Sequence, residues 1–224
     1  MRKLIKILSI VLILFTTDSF GQTRANLIVN FQKDTLKIEY INKNITTSRL
    51  YFPIAIQFDS NKCIGLDSFS NEWYSKHLRT MDEPILYEGE LEKEIFRFTW
   101  LRTFHNPIII RIENINDSIN LIYKVTDGAG GYEPGELVID RRKLLTLNDW
   151  NKFIHLVNSC DFWTTMPCEK IIEGLDGSQW ILEGATDKYY QIIDKWTPRE
   201  GAYYDCCNNL IELTGLEFKK SEKY

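Results

Sequence analysis

Between positions 96 and 125 the sequence alternates apolar and polar residues in three successive runs. This period of two is typical of β-strands, whose side chains point alternately to the two faces of a sheet. The apolar positions are Phe96, Phe98 and Trp100, then Ile108, Ile110 and Ile112, and last Ile119, Leu121, Tyr123 and Val125. The short connections favour an antiparallel meander that is covered on its apolar face. The basic residues Arg97, Arg111 and Lys124 are then expected on a solvated face, paired locally with acids such as Glu113.

Three further stretches have the apolar spacing of helices. The first runs from Phe69 to about Met81, with Asp67 or Ser68 as its cap, and it ends before Pro84. The second follows a cap at Asn148 or Asp149, and the third contains Tyr203 and Leu213. Alternating runs at 27–40 and 50–58 precede all three helices. The sequence therefore predicts an α+β fold, mainly an antiparallel sheet with about three helices, preceded by an N-terminal β segment.

The first 21 residues have the pattern of a secretory signal peptide. Arg2, Lys3 and Lys6 give a basic start, an apolar run follows, and small residues stand before a cut after Gly21. The apolar run of about nine residues is too short for a membrane span, which needs ~20. We therefore expect an exported protein, periplasmic or extracellular, with no transmembrane segment in the mature chain. The predicted parts are a signal peptide (1–21), an N-terminal β segment (22–66) and an α+β domain (67–218).

Charge and spacing exclude several classes of partner and cofactor. The formal charge is -4 for the whole chain, and removal of the predicted signal peptide makes it more negative. An acidic chain with scattered Lys and Arg is not expected to bind nucleic acid. The three histidines stand in separate elements without a paired ligand motif, so no metal is expected. The glycine-rich loop at 127–135 leads into a strand rather than a helix, which argues against a phosphate site, and no cofactor is predicted.

Five cysteines in an exported chain permit disulfides and leave at least one thiol unpaired. Cys160 and Cys168 bracket a short loop, and a bridge between them is the favoured pairing. Cys168 with Cys206 or Cys207 is the competing pairing, and five buried, reduced thiols are the remaining alternative.

Several phrases together resemble a family of exported bacterial proteins for which no activity is established. They are NEWYSKHLRTMDEPIL, FRFTWLRTFHNPIIIRIE, DGAGGYEPGEL, GLDGSQWILEG and YYQIIDKWTP, and they cover roughly residues 69–216. The resemblance implies an exported bacterial location and a shared fold. Sequences of this kind often have His and Arg where this chain has Tyr190 and Lys195, so a role for that imidazole does not carry over.

The phrase WLRTFHNP supplies the best candidate ligand site. It places Trp100, Arg102 and His105 where a predicted strand turns, and ligand-binding residues concentrate at such places. Glu183 and Asp194 in the later hairpin are expected to complete the site. If Gly184 pairs with Tyr189, then Glu183 and Tyr190 share one face of that hairpin, and Trp180, Leu182 and Ile193 line the other. A small anionic or sugar-like ligand is the expected occupant.

Three functions from different classes remain open on the sequence. The first is a non-enzymatic module that binds a small ligand or a protein partner, and it is favoured because no catalytic constellation is evident. The second is a hydrolase that uses His105 with Glu183 or Asp127 as acid and base. The third is a structural protein of the cell envelope without a small ligand.

Overall fold

The structure is a computed structural model that describes residues 49–54, 56–59, 62–88, 93–116, 118–165 and 176–224, together with the backbone of two strands, 26–32 and 35–41. It divides into two units, Met1–Ser48 and Arg49–Tyr224. In the first unit, β1 (Asn26–Gln32) and β2 (Thr35–Ile41) form an antiparallel hairpin. The predicted signal peptide lies outside the described residues. Residues 49–66 belong to the larger unit, whereas the sequence predicted a boundary after residue 66.

The larger unit contains strands and helices in the order expected of an α+β fold. Its elements are β3 (Ile56–Asp59), β4 (Lys62–Ile64), α1 (Ser68–Thr80), β5 (Glu94–Arg102), β6 (Ile108–Ile115), β7 (Ser118–Thr126), β8 (Leu137–Leu144), α2 (Leu147–Ser159), β9 (Ser178–Ala185), β10 (Tyr190–Trp196) and α3 (Ala202–Thr214). A 3-10 turn follows at Lys220–Glu222. The predicted mixture of a mainly antiparallel sheet and three helices is confirmed for the described residues. None of the helices in this part of the chain is long and apolar enough to span a membrane.

Six strands form one sheet in the order β10-β9-β5-β6-β7-β8, and every neighbouring pair is antiparallel. The predicted meander is its centre, since β5, β6 and β7 pair in sequence order. The predicted strand over 50–58 is observed as β3 from Ile56, which pairs with β4 in a small antiparallel hairpin. Strand β8 forms one edge of the sheet, and its side chains are mostly exposed.

Both faces of the sheet are covered, so the larger unit has three layers. The apolar residues of the meander pack against α2 and α3, in one core that contains Phe96, Trp100, Phe153, Trp180 and Leu210. The opposite face packs against α1, in a second core that contains Tyr74, Leu78, Leu101, Ile109 and Ile181. The sequence predicted one covered face, and the second is covered because α1 returns over the sheet.

The N-caps of α1 and α2 can be compared with the capping residues that the sequence predicted. Asp67 caps α1 as predicted, since its carboxylate accepts hydrogen bonds from the backbone N–H groups of Phe69 and Ser70. The N-cap of helix α2 lies two or three residues before the predicted cap. Thr146 is the N-cap, and it forms a reciprocal capping box with Asp149. Asp149 therefore takes part in the cap as predicted, but as the third residue of the helix and not as the N-cap.

A partly buried hydrogen bond joins α1 to the edge strand β10. The Tyr74 hydroxyl donates to Asp194 Oδ2 at 2.8 Å, and the other oxygen of the same carboxyl, Oδ1, is buried without a partner among the described residues. Burial raises the pKa of Asp194 to about 7, and the hydrogen bond from Tyr74 only partly opposes it. A carboxyl that resists ionisation near neutral pH makes the stability depend on pH.

Replacing Asp194 with asparagine is expected to stabilise the protein above pH 7, on the order of 1–2 kcal/mol. The folded state keeps this proton up to pH about 7, whereas the unfolded chain releases it near ~4. The contribution of Asp194 is therefore fully present below pH ~4 and is lost as the pH rises through about 7. Urea unfolding from pH 4 to 9 measures the effect, with the exposed Asp187 replaced by asparagine as the control.

A buried histidine makes the stability depend on pH in the opposite sense, so wild type and variant have to be compared at each pH. Burial lowers the pKa of His77, on α1, to about 4, so its contribution is lost as the pH falls from ~6.5 through that value. The difference between wild type and variant at each pH therefore isolates Asp194. A variant profile that runs parallel to the wild-type profile at all pH values would contradict the prediction.

Candidate functional site

The strand register brings two tryptophans together at one end of the sheet. Trp100 on β5 pairs with Trp180 on β9, and Arg102 pairs with Ser178 two positions further along. Residues two apart on a strand share a face, so all four side chains lie on the face covered by α2 and α3. The two indole rings are 5.3 Å apart between centroids. Strand pairing alone therefore assembles three hydrogen-bond donors and a guanidinium at one place.

The three donors converge on one oxygen, the main-chain oxygen of Tyr224. Trp100 Nε1 donates to it at 3.4 Å and Trp180 Nε1 at 3.1 Å, and the Ser178 hydroxyl donates to it as well. We call Trp100, Ser178 and Trp180 the oxygen cradle. The side chain of each cradle residue is buried, and neutral donors in such a place stabilise a carbonyl or carboxylate oxygen without competition from water.

Arg102 lies beside the cradle and faces the same segment. Its guanidinium stacks over the Trp100 ring at 4.3 Å and over the Phe218 ring at 5.2 Å. Its Nη1 and Nη2 donate to the main-chain oxygens of Glu222 and Asn106, at 3.4 and 3.1 Å. Nε is buried and has no partner in the described part of the chain. Burial lowers the pKa of Arg102 to about 10, with Tyr224 and Glu222 opposing it, so the group stays cationic at neutral pH.

His105 completes the wall of this site on the loop after β5. Its Nδ1 is 2.7 Å from the Tyr224 hydroxyl, and the two rings meet edge to face at 5.5 Å. The loop is held by hydrogen bonds from His105 N to the Arg102 carbonyl and from Gly130 N to the His105 carbonyl. Gly130 permits this approach, because a Cβ there would lie 2.5 Å from the backbone nitrogen of Arg102. The structure thus brings Trp100, Arg102 and His105 together, as the sequence predicted.

The segment after α3 fills this site, which the sequence did not predict. Phe218 meets the Trp100 ring edge to face at 5.4 Å, and residues 222–224 supply two main-chain oxygens and a phenol. We call residues 217–224 the tail. Its polar composition, EFKKSEKY, carries no motif that would place it in a pocket. Ser178 and Trp180 were also missed as site residues, since each had a sufficient structural role as part of a strand.

Glu183 does not join this site, contrary to the prediction. It pairs with Arg97 on the neighbouring strand. Glu183 and Trp180 are three positions apart on β9, so their side chains point to opposite faces, and Glu183 lies on the face covered by α1. Its carboxylate is fully buried, 2.7 Å from Arg97 Nε, and it accepts a hydrogen bond from Tyr190 at 2.8 Å. Glu183 and Tyr190 thus share one face, as predicted, and they are hydrogen-bonded to each other. The predicted pairing of Gly184 with Tyr189 is wrong, since Gly184 pairs with Gln191, two positions along.

Glu183 belongs to a buried charge network beneath α1. Glu83, just past the end of that helix, lies 2.8 Å from Arg111, 3.1 Å from Lys124 and 3.7 Å from Arg97. The side chains of Arg97, Glu83 and Glu183 have no solvent exposure. Burial lowers the pKa of Arg97, but attraction to Glu183 and Glu83 outweighs it and the pKa is raised. Arg97, Arg111 and Lys124 were expected on a solvated face. Arg97 and Lys124 are buried and Arg111 is partly buried, because Glu83 compensates their charge.

The hydrolase hypothesis loses one of its two acid–base pairs. Glu183 and His105 lie on opposite sides of the sheet, so no direct proton transfer between them is possible. Asp127 Oδ1 accepts a hydrogen bond from Glu136 N at 2.7 Å, which closes the glycine-rich loop. The pairing of His105 with Asp127 stays a prediction. No group of three or more metal-ligating side chains occurs among the described residues.

A second concave surface lies between α1 and the glycine-rich loop. It is a groove of about 350 Å³ lined by Phe69, Glu72, Trp73, Lys76 and Gly131. Phe69 is 77% exposed, and the Trp73 indole donates to the Gly130 carbonyl at 2.9 Å. The groove offers ring stacking and charge at its rim, whereas the oxygen cradle offers converging buried donors. The cradle is therefore the more specific of the two sites.

Cys160, Cys206 and Cys207 are free cysteines in the structure. Cys168 lies outside the described residues, so the favoured bridge between Cys160 and Cys168 and the competing pairings of Cys168 with Cys206 or Cys207 stay predictions.

Comparison of the sequence with protein-family models and with curated proteins finds no match.

Proposed function

We propose that this chain is an exported, non-enzymatic module that binds a ligand carrying a carboxylate or carbonyl oxygen close to an aromatic ring. The observation that carries the proposal is the convergence of Trp100, Ser178 and Trp180 on a single oxygen. Burying three donors is costly unless each has an acceptor. A site built in this way is adapted to hold an oxygen acceptor.

The neighbouring charge favours an anionic oxygen. Arg102 is 3% exposed and keeps a buried Nε without a partner in the described part of the chain. A guanidinium with a free donor beside neutral donors provides a positive potential in a low-dielectric place. A carboxylate would satisfy the cradle and would also compensate Arg102, which a neutral carbonyl does only in part.

The tail indicates the rest of the ligand's chemistry. The Tyr224 phenol lies against His105, and the Phe218 ring lies against Trp100 and Arg102. A ligand that replaces the tail would place its carboxylate on the cradle and a phenol or a similar polar ring at His105. N-acetyl-L-tyrosine combines these two groups in a small molecule and serves as the probe.

The test titrates this probe into a full-length chain in which Phe218→Ala and Tyr224→Ala loosen the tail. NMR resolves the indole N–H signals, and we expect those of Trp100 and Trp180 to shift in a saturable way. The indole signal of Trp150, on α2, is the internal reference. N-acetyltyramine, which lacks the carboxylate, is expected to bind about tenfold more weakly, because it cannot form a charge-assisted hydrogen bond.

A matched pair of variants makes the experiment decisive. In the loosened background, Arg102→Gln should weaken the probe about fivefold or more, whereas the exposed Arg199→Gln should leave its affinity unchanged. Absence of saturable indole shifts would refute the ligand-binding function and favour the structural envelope protein. Cleavage of the probe's amide bond to acetate and tyrosine during the titration would favour the hydrolase.

A further inference from the structure

The end of α2 lies against the middle of α3, with one cysteine on each side of the contact. Cys160 is the C-cap residue of α2, and Cys206 is a fully buried residue of α3. Both belong to the core on the α2–α3 face of the sheet, where the partly buried Cys160 packs on the cluster that contains Cys206. Each of the two thiols shifts the pKa of the other, which agrees with their placement in one core. Two cysteines that face each other across a helix contact can be joined by a bridge.

The helix geometry distinguishes Cys206 from its neighbour Cys207. Consecutive residues on an α-helix point about 100° apart, so only one of the two faces α2 directly. Cys207 lies one turn after Tyr203 on α3, and Tyr203 acts on the pKa of its thiol. The Tyr203 hydroxyl is held in turn by the Trp180 and Ile193 carbonyls at 2.6 and 3.0 Å. Cys207 therefore faces Tyr203 and the sheet, and Cys206 is the partner available to Cys160.

We propose that Cys160 and Cys206 form a disulfide when the chain meets a disulfide oxidant, which ties the end of α2 to α3. The Cys160 thiolate attacks one sulfur of the oxidant, forms a mixed disulfide and releases one thiol. Cys206 then loses its proton and attacks the Cys160 sulfur, which releases the second thiol. Two protein thiols are oxidised, one oxidant disulfide is reduced to two thiols, and two electrons are transferred.

The surroundings assign the first step to Cys160. Its side chain is partly exposed, so an oxidant can reach it, whereas Cys206 is shielded. The Cys160 Sγ lies 3.2 Å from the Val157 carbonyl at the end of α2. Contact with Cys206 lowers the pKa of Cys160, and the same contact together with burial raises the pKa of Cys206. The accessible sulfur of the pair is thus also the one that ionises more readily, as an attacking thiol requires.

The test uses the intact chain, fully reduced and then equilibrated with a mixture of reduced and oxidised glutathione. Free thiols are blocked, the chain is digested without reductant, and the peptides are identified by mass spectrometry. We expect the peptides with Cys160 and Cys206 to be joined and lighter by two hydrogen atoms. A bridge between Cys160 and Cys206 closes a long loop of the chain, and it should raise Tm by about 5–10 °C over the reduced chain.

Variants connect the linkage to the change in Tm. Cys160→Ser should abolish the difference in Tm between oxidised and reduced protein, whereas Cys168→Ser should keep it. Cys160 is partly exposed, so its variant is expected to fold, and mapping of the unmodified chain gives an independent result. A Cys160–Cys168 or Cys160–Cys207 linkage would overturn the proposal. So would thiols at 160 and 206 that stay reduced while the oxidant is in excess.

Discussion

Replacing Arg97 with methionine is expected to lower the free energy of unfolding by about 3–5 kcal/mol, the range for breaking a buried ion pair by removing one partner. Methionine fills much of the volume, but among the described residues it leaves the buried Glu183 carboxylate with the Tyr190 hydroxyl as its one strong partner. The main-chain oxygen of Pro84, which accepts from Arg97 at 2.6 Å, also loses its donor. Urea unfolding at pH 7, followed by tryptophan fluorescence, measures the change.

Two comparisons separate this effect from a general loss of charge. Arg49→Met removes a surface pair with Glu88, in which the side chains are 72% and 47% exposed, and should cost less than about 1 kcal/mol. The double variant Arg97→Met/Glu183→Gln should regain about half of the loss, because the glutamine is neutral and still accepts from Tyr190. Equal losses for Arg97→Met and Arg49→Met would mean that the network does not stabilise the fold.

Removing the tail is expected to tighten binding of N-acetyl-L-tyrosine about 10-fold to 100-fold relative to the intact chain. The tail is attached to α3 and acts as a tethered competitor, with an effective concentration in the millimolar range typical of short linkers. If the tail occupies the site for roughly 90–99% of the time, the site is free for only about 1–10% of it. The apparent affinity for a ligand is then reduced about 10-fold to 100-fold. Titrations of the intact chain and of a chain ending at Leu216, read at the Trp100 and Trp180 indole signals, give the ratio.

A peptide of residues 217–224 provides the control for this comparison. It should bind the shortened chain and restore the indole signals to their positions in the intact chain, since the same contacts form in trans. Equal probe affinity in the intact and the shortened chain would mean that the tail does not occupy the site in solution. Circular dichroism of the shortened chain excludes unfolding as the reason for any difference.

The central sheet could be predicted because its pattern is local. The alternation through β5, β6 and β7 fixes which residues share a face, and a shift of two residues in the β9–β10 register left the faces unchanged. The burial of Arg97 could not be predicted in the same way. It depends on Glu83, which looks like a helix terminator in the sequence and becomes a counter-ion only when α1 has folded over the sheet.

The candidate site was half predictable for a similar reason. Trp100, Arg102 and His105 follow one another around one strand end, so their proximity is a property of local sequence. Glu183 was assigned to the wrong face of its strand. Glu183 and Trp180 are three apart on β9 and must face opposite ways, so a strand that pairs Trp180 with Trp100 turns Glu183 away. The tail could not be predicted, since only the folded sheet creates the pocket that makes its oxygens relevant.

The exposed edge strand β8 also affects how copies of this protein behave toward one another. An unpaired strand edge is a template for strands of other chains, and exposed Leu137, Val138 and Leu144 would favour such pairing. Between them lie Asp140, Arg141, Arg142 and Lys143, whose charges oppose the approach of a second copy in the same orientation. β8 thus combines the apolar residues that promote intermolecular aggregation with the charged residues that suppress it.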